Sequence, residues 1–213
     1  MSKTSVMIVD DQAVSRQLFE LYVKSSDRYE LTFSVQSAGV ADVYLLKSKV
    51  DLIIMDILMK DGSDGLETSV RIKRDFPDIK IIAVTSMLEG SWLQKARETG
   101  IDSFWYKETD NITLLDIMDR TMNGEHIYPD APPSVKVGNA VSTSFSEREL
   151  DVLRVITTGA SNAEVAAKLG ISENTVKTYV RSMLEKTGYR SRTELAIKAR
   201  VLGFALGRED EEN

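Results

Sequence analysis

The sequence predicts an α/β domain built on a five-stranded, doubly wound parallel sheet, followed by a smaller all-α domain. Three observations carry this. Short apolar runs alternate five times with amphipathic, helix-length segments over residues 1–122. The alternation stops over 123–144, where Gly124, Pro129, Pro132, Pro133 and Gly138 gather in a linker. Beyond it only helical periodicity remains, over 145–207, before an acidic tail at 208–213. A length of 213 residues, 42% of them hydrophobic, suits two small cores better than one large one.

Strands are expected at 3–9, 31–35, 51–55, 80–84 and 103–106, and helices at 13–26, 40–48, 65–75, 90–99 and 111–122. Such alternation favours right-handed crossovers, helices on both faces of the sheet, and a ligand site at the carboxyl ends of the strands. In the second domain Ser146 and Glu149 have capping-box spacing and open a helix to about residue 158. Further helices are expected at 162–169, 173–186 and 192–202. Gly170-Ile171-Ser172 reads as a tight turn ending in an N-cap serine.

Composition narrows the function. Without cysteine, neither a disulfide framework nor a thiolate zinc site can hold the fold. The short apolar run at 6–9 is no signal peptide or membrane span, so a cytoplasmic protein without membrane association is expected. The net charge of −6 hides an uneven distribution: residues 172–200 carry seven basic residues against three acids. His126, in the linker, reads as a solvated side chain.

Asp10 and Asp11 follow the first strand, Asp56 the third, Thr85 ends the fourth and Lys107 the fifth. In a parallel sheet these positions are neighbours. Three carboxylates together repel one another unless a cation binds or a proton is retained, which suggests a hard divalent ion, with Mg²⁺ the natural candidate. An aspartate nucleophile, a metal, a hydroxyl and an ammonium form a site for a phosphoryl group.

These five residues resemble the receiver domain of two-component response regulators, a flavodoxin-like fold, over about 1–122. The resemblance implies that Asp56 accepts phosphate from the histidine of a separate kinase. It implies that Asp11, Asp56 and the Leu58 carbonyl bind Mg²⁺ while Asp10 holds the ion through water, and that Thr85 and Phe104 form a switch pair reshaping the face around the fourth helix and fifth strand. Met59 also fits the pattern. Lys60 stands where proline is usual, Gly65 arrives one residue late, and Glu108 replaces a common proline.

On the third C-terminal helix, Val176, Val180, Met183 and Leu184 form the core stripe, leaving Lys177, Thr178 and Arg181 outward. After a short helix and a tight turn, this is the pattern of a helix-turn-helix recognition helix that enters the major groove of double-stranded DNA. The runs 145–149, 159–162, 171–177 and 186–188 resemble the LuxR/NarL-type effector domain. That resemblance implies base-edge contacts from Lys177, Thr178 and Arg181 and phosphate contacts from Ser161, Asn162, Thr175, Lys186 and Arg192. It also implies a homodimer in the active state, formed through the last helix around Leu195, Ala199 and Leu202. Tyr179 and Ala163 replace a frequent histidine and lysine.

The expected function is that of a transcription factor controlled by Asp56 phosphorylation, with no enzymatic activity beyond self-phosphotransfer. The chain lacks a Walker-type loop, so the phosphate must come from another protein. A haloacid-dehalogenase-type phosphatase would need an acid at Leu58. A receiver that only dimerises would have no use for the acidic pocket. Apolar Leu58 and Met87, flanking the phosphoryl group, are expected to exclude the hydrolytic water and prolong the phosphorylated state.

Overall fold

The computed structural model describes residues 3–59, 61–86, 90–107 and 113–202, except the side chains of 90 and 91. Lys60, Met87, Glu108 and the acidic tail, all singled out above, lie outside the described residues. The chain divides into two compact units, with the passage between them at Ala131 and Pro132.

In the first unit β1 (Thr4–Val9), β2 (Tyr29–Val35), β3 (Leu52–Asp56), β4 (Lys80–Thr85) and β5 (Ser103–Tyr106) form one parallel sheet in the order β2-β1-β3-β4-β5. The helices are α1 (Ala13–Lys24), α2 (Ala41–Leu45, preceded by a 3-10 turn at Ala38–Val40), α3 (Gly65–Asp75), α4 (Gly90–Glu98) and α5 (Leu114–Met122). The central strands are apolar along nearly their whole length because helices bury both faces, and β3 and β5 are buried throughout. Val6, Ile8, Ile54, Ile82 and Val84 pack with Phe19, Val23, Leu114, Ile117 and Met118 of α1 and α5. Their neighbours Met7, Ile53, Met55, Ile81 and Ala83, also buried, face the other side of the sheet. The expected strands are all present. The segment at 40–48 is shorter than its periodicity suggested, splitting between the 3-10 turn and a five-residue helix.

The second unit holds a two-stranded hairpin, β6 (Lys136–Val137) and β7 (Ala140–Val141), then α6 (Glu147–Thr157), α7 (Asn162–Leu169), α8 (Glu173–Thr187) and α9 (Arg192–Val201). Ser146 and Ser161 each close a full capping box, and Ser172 and Ser191 cap α8 and α9. The hairpin lies within the stretch expected to be a linker. Val137 is fully buried in the helical core, and the Asn139 N–H donates to the Thr187 carbonyl at 2.8 Å, capping the end of α8. Gly138, at φ +63, lies so close that a Cβ there would stand 3.0 Å from the Thr187 carbonyl carbon.

Candidate functional site

The strand order reverses between β1 and β3, and at that edge the sheet presents the carboxyl ends of its strands. Register brings the site together: Asp56 pairs with Val84, and Thr85 with Tyr106. Carboxylate oxygens of Asp10, Asp11 and Asp56 lie within 4.8 Å of one another. Asp10 and Asp56 are buried and Asp11 half-buried. The Lys107 ammonium donates to Asp10 Oδ2 at 2.9 Å and to Asp56 Oδ2 at 2.6 Å, and its backbone N–H donates to the Thr85 carbonyl at 2.9 Å. The Gln12 N–H holds Asp10 Oδ1 at 2.8 Å, and Arg16 donates to the Asp10 carbonyl at 2.8 Å.

Burial raises the Asp56 carboxyl well above the usual carboxylate range, with Asp10 and Asp11 adding to the rise and Lys107 opposing it. Burial works against the Lys107 ammonium, but the charges of Asp56 and Asp10 outweigh it and raise its pKa. One ammonium faces three carboxylates, and the cluster offers oxygen donors alone. This donor set fits a hard divalent cation such as Mg²⁺.

Of the other residues named above for the first domain, Thr85 and Phe104 are both buried, and the Phe104 ring meets that of Tyr106 edge-on at 4.9 Å. Leu58 is half-buried and bridges to Asp64. The sequence does not show what two supports of the site touch. Gly65 opens α3 directly against the backbone of Asp56, where a Cβ would collide with the Asp56 carbonyl group. Phe19, buried on α1, places its ring 5.7 Å from the Lys107 ammonium.

In the second unit Lys177, Thr178 and Arg181 are exposed on α8. Lys177 and Arg181 line one groove with Asn162 and Arg192. Arg192 donates to Asn162 Oδ1 at 2.9 Å and to the Ala160 carbonyl at 2.6 Å, fixing the start of α7 beside α9. The Thr178 hydroxyl donates to the Asn174 carbonyl at 2.9 Å. Ser161 and Thr175 stand at helix starts, where the Ser161 hydroxyl accepts from the Glu164 N–H and the Ser172 hydroxyl from the Thr175 N–H. Lys186 is ion-paired with Glu149 at 2.6 Å. Beyond the cap that its spacing from Ser146 predicts, Glu149 accepts from Ser182 at 2.8 Å, tying α6 to α8. Burial pushes its carboxyl pKa upward, but Lys186, Ser146 and Ser182 outweigh this and lower it.

The expected dimer surface needs correction. Leu195 and Ala199 are fully buried in the helical core and Leu202 packs against it, because the apolar stripe of α9 serves its own domain. The exposed apolar side chains of α9 are Ile197 and Val201.

Comparison with known proteins adds independent findings. The family model of the response regulator receiver domain matches residues 6–119, and that of bacterial regulatory proteins of the luxR family matches 143–199. The response regulator protein VraR of Staphylococcus epidermidis is 32% identical over 200 residues, covering 91% of this chain and 95% of the relative. VraR of Staphylococcus aureus is 32% identical with the same coverage. Among solved structures, the RcsB response regulator of Salmonella typhimurium aligns at a TM-score of 0.56 and 20% identity, over 94% of this chain and 100% of that one. A structure of an RcsB-DNA complex aligns at 0.56 and 21%, over 93% and 98%. At these identities the structural likeness speaks for the fold. No helix among the described residues is long and apolar enough to cross a membrane.

Proposed function

The chain belongs to the two-component response regulators with a LuxR-type DNA-binding domain, and from that membership we propose that phosphorylation of Asp56 by a separate histidine kinase controls its binding to double-stranded DNA. The protein is a DNA-binding transcription regulator. One observation carries the assignment of Asp56: it is buried at a strand end among Asp10, Asp11, Thr85 and Lys107, with the ammonium already bridging Asp10 and Asp56.

In the proposed step an Asp56 carboxylate oxygen attacks phosphorus and the P–N bond of the kinase phosphohistidine breaks. The electron pair leaves with the imidazole. Asp11, Asp56 and the Leu58 carbonyl would hold Mg²⁺, with Asp10 acting through water; bound there, the ion would neutralise charge on the phosphoryl oxygens. Lys107 would exchange its contact with the Asp56 carboxylate for one with the phosphoryl group, and the Thr85 hydroxyl would donate to it. Only self-phosphotransfer is assigned to the chain, and Leu58 denies it the second acid of a phosphatase. On the DNA side, Lys177, Thr178 and Arg181 read base edges while Ser161, Asn162, Thr175, Lys186 and Arg192 meet phosphates, with a homodimer as the active form. A cytoplasmic site of action accords with the cysteine-free sequence.

The test is incubation with acetyl phosphate and Mg²⁺ followed by intact-mass measurement. One added phosphoryl group, located on Asp56 by peptide mapping and absent when the metal is chelated, is the expected result. A phosphoryl group found elsewhere would refute the assignment.

A further inference from the structure

Strand β5 is the last strand of the sheet, and a bare outer edge would leave a row of backbone groups unpaired. In residues 125–130, which follow α5, Ile127 bonds to the start of that edge. The Phe104 N–H donates to the Ile127 carbonyl at 2.8 Å, and the Ile127 N–H donates to the Ser103 hydroxyl at 3.2 Å. The Ser103 hydroxyl is bonded in turn to that of Thr121 on α5 at 2.7 Å. The Ile127 side chain is buried in the same core cluster as Trp105. One residue on, the Tyr128 hydroxyl donates to the carbonyl of Ile101 and, at 3.3 Å, to that of Ala96. The Arg97 guanidinium lies 5.0 Å over the Tyr128 ring and donates to the Pro129 carbonyl at 2.9 Å. Backbone, core and cation–π contacts thus fasten this segment to both β5 and α4.

The other end of β5 is the acidic site. Only Trp105 and Tyr106 separate Phe104, bonded to the segment, from Lys107, bonded to Asp10 and Asp56. A phosphoryl group on Asp56 places new negative charge where Lys107 now bridges two carboxylates, so Lys107 must change partners. A short, fully buried strand with packed rings at 4.9 Å transmits such a displacement rather than absorbing it. Past Ala131 the chain enters the helical unit.

We propose that residues 125–130 are a coupling strap, with Tyr128 and Arg97 as positioning residues, carrying the phosphorylation state of the Asp56 site to the chain that enters the DNA-binding domain. The proposal rests on the functional reading above. Its measure is the gain in DNA affinity on phosphorylation, a coupling quantity distinct from either activity alone.

The full-length protein is compared with Tyr128→Phe, which removes both hydroxyl bonds and keeps the ring, and with Arg97→Gln, at an exposed position. Asp130→Ala, also exposed, serves as control. Each is treated with acetyl phosphate and Mg²⁺, checked for phosphoryl uptake by mass, and titrated by fluorescence anisotropy into a labelled duplex selected from random sequence by the phosphorylated parent. Tyr128→Phe and Arg97→Gln are expected to take up phosphate like the parent while the gain in affinity falls about fivefold, the equivalent of one net hydrogen bond. The Asp130→Ala control should keep the full gain. An undiminished gain in both strap variants would overturn the proposal, and so would lost phosphoryl uptake in both, which would make these residues mere supports of the pocket. A parent protein with no gain at all would instead overturn the functional reading, and the strap with it.

Discussion

Replacing Gly65 with alanine tests how closely Asp56, the proposed phosphoacceptor, is held. The new Cβ would stand 2.9 Å from the Asp56 carbonyl carbon and 3.1 Å from Ile57 Cα, and would overlap the Asp56 carbonyl oxygen more severely still. Carbon atoms in good contact lie about 3.5–4.0 Å apart, so α3 and the end of β3 must separate by roughly 0.6 Å or more. Backbone is the obstacle on both sides, and the Gly65 N–H is also bonded to the Ile57 carbonyl at 2.9 Å. Overpacking of this kind costs about 1–3 kcal/mol. Displacing a reacting group by about 1 Å can slow its reaction by about 100-fold. Gly65→Ala should therefore unfold at lower temperature in a calorimetric scan and take up phosphoryl from acetyl phosphate at least about tenfold more slowly than the parent. A variant matching the parent in both Tm and uptake rate would show instead that the close approach is relieved at no cost to Asp56.

Other substitutions probe separate parts of the account. Asp56→Asn should abolish phosphoryl acceptance measured by mass, because an amide is a far weaker nucleophile and metal ligand; full acceptance would move the site elsewhere. Lys177→Ala and Arg181→Ala should each weaken binding to a selected duplex by about 1–3 kcal/mol and relax sequence choice, and an unchanged preference in both would place the readout on other residues. Asp102 is buried, which raises its pKa, but Lys73, Lys80 and the Ile81 N–H outweigh burial and hold it below the ordinary 3.8. A depressed folded pKa means that its stabilisation is full above the unfolded value and is lost as pH falls through the folded one. The Tm difference between parent and Asp102→Asn should accordingly be largest at neutral pH and shrink in acid below 3.8; a constant difference would contradict this. Leu58→Asn combined with Met87→Glu should lose phosphate faster than the parent at fixed Mg²⁺, as expected if apolar side chains exclude the hydrolytic water; equal decay rates would end that idea.

The sequence revealed elements where burial and periodicity coincide. The strands β1, β3, β4 and β5 are covered on both faces, so they read as apolar runs, and the parallel arrangement then places Asp10, Asp56, Thr85 and Lys107 at one edge without further information. The hairpin at 136–141 escaped notice because two-residue strands have no period. Its support comes from Val137 in the helical core and from Thr187, far along the chain. The strap at 125–130 was hidden for the same reason: its partners are Ser103, Phe104 and α4, and its composition is that of a linker. On α9 the apolar stripe was real but its owner was not legible, since a helix that packs on its own domain and one that packs on a partner show the same spacing. The resemblance drew attention to Gly65 by its position alone, and its closeness to Asp56 is a backbone approach visible only in the structure.

If phosphorylation of Asp56 controls DNA affinity, a single four-sample titration shows it. The parent and Asp56→Asn, each with and without acetyl phosphate and Mg²⁺, are titrated at one fixed salt concentration against a duplex selected from random sequence. Only the treated parent should gain affinity, in proportion to the fraction carrying the added phosphoryl group. Equal affinities in all four samples, with the parent fully phosphorylated, would contradict it.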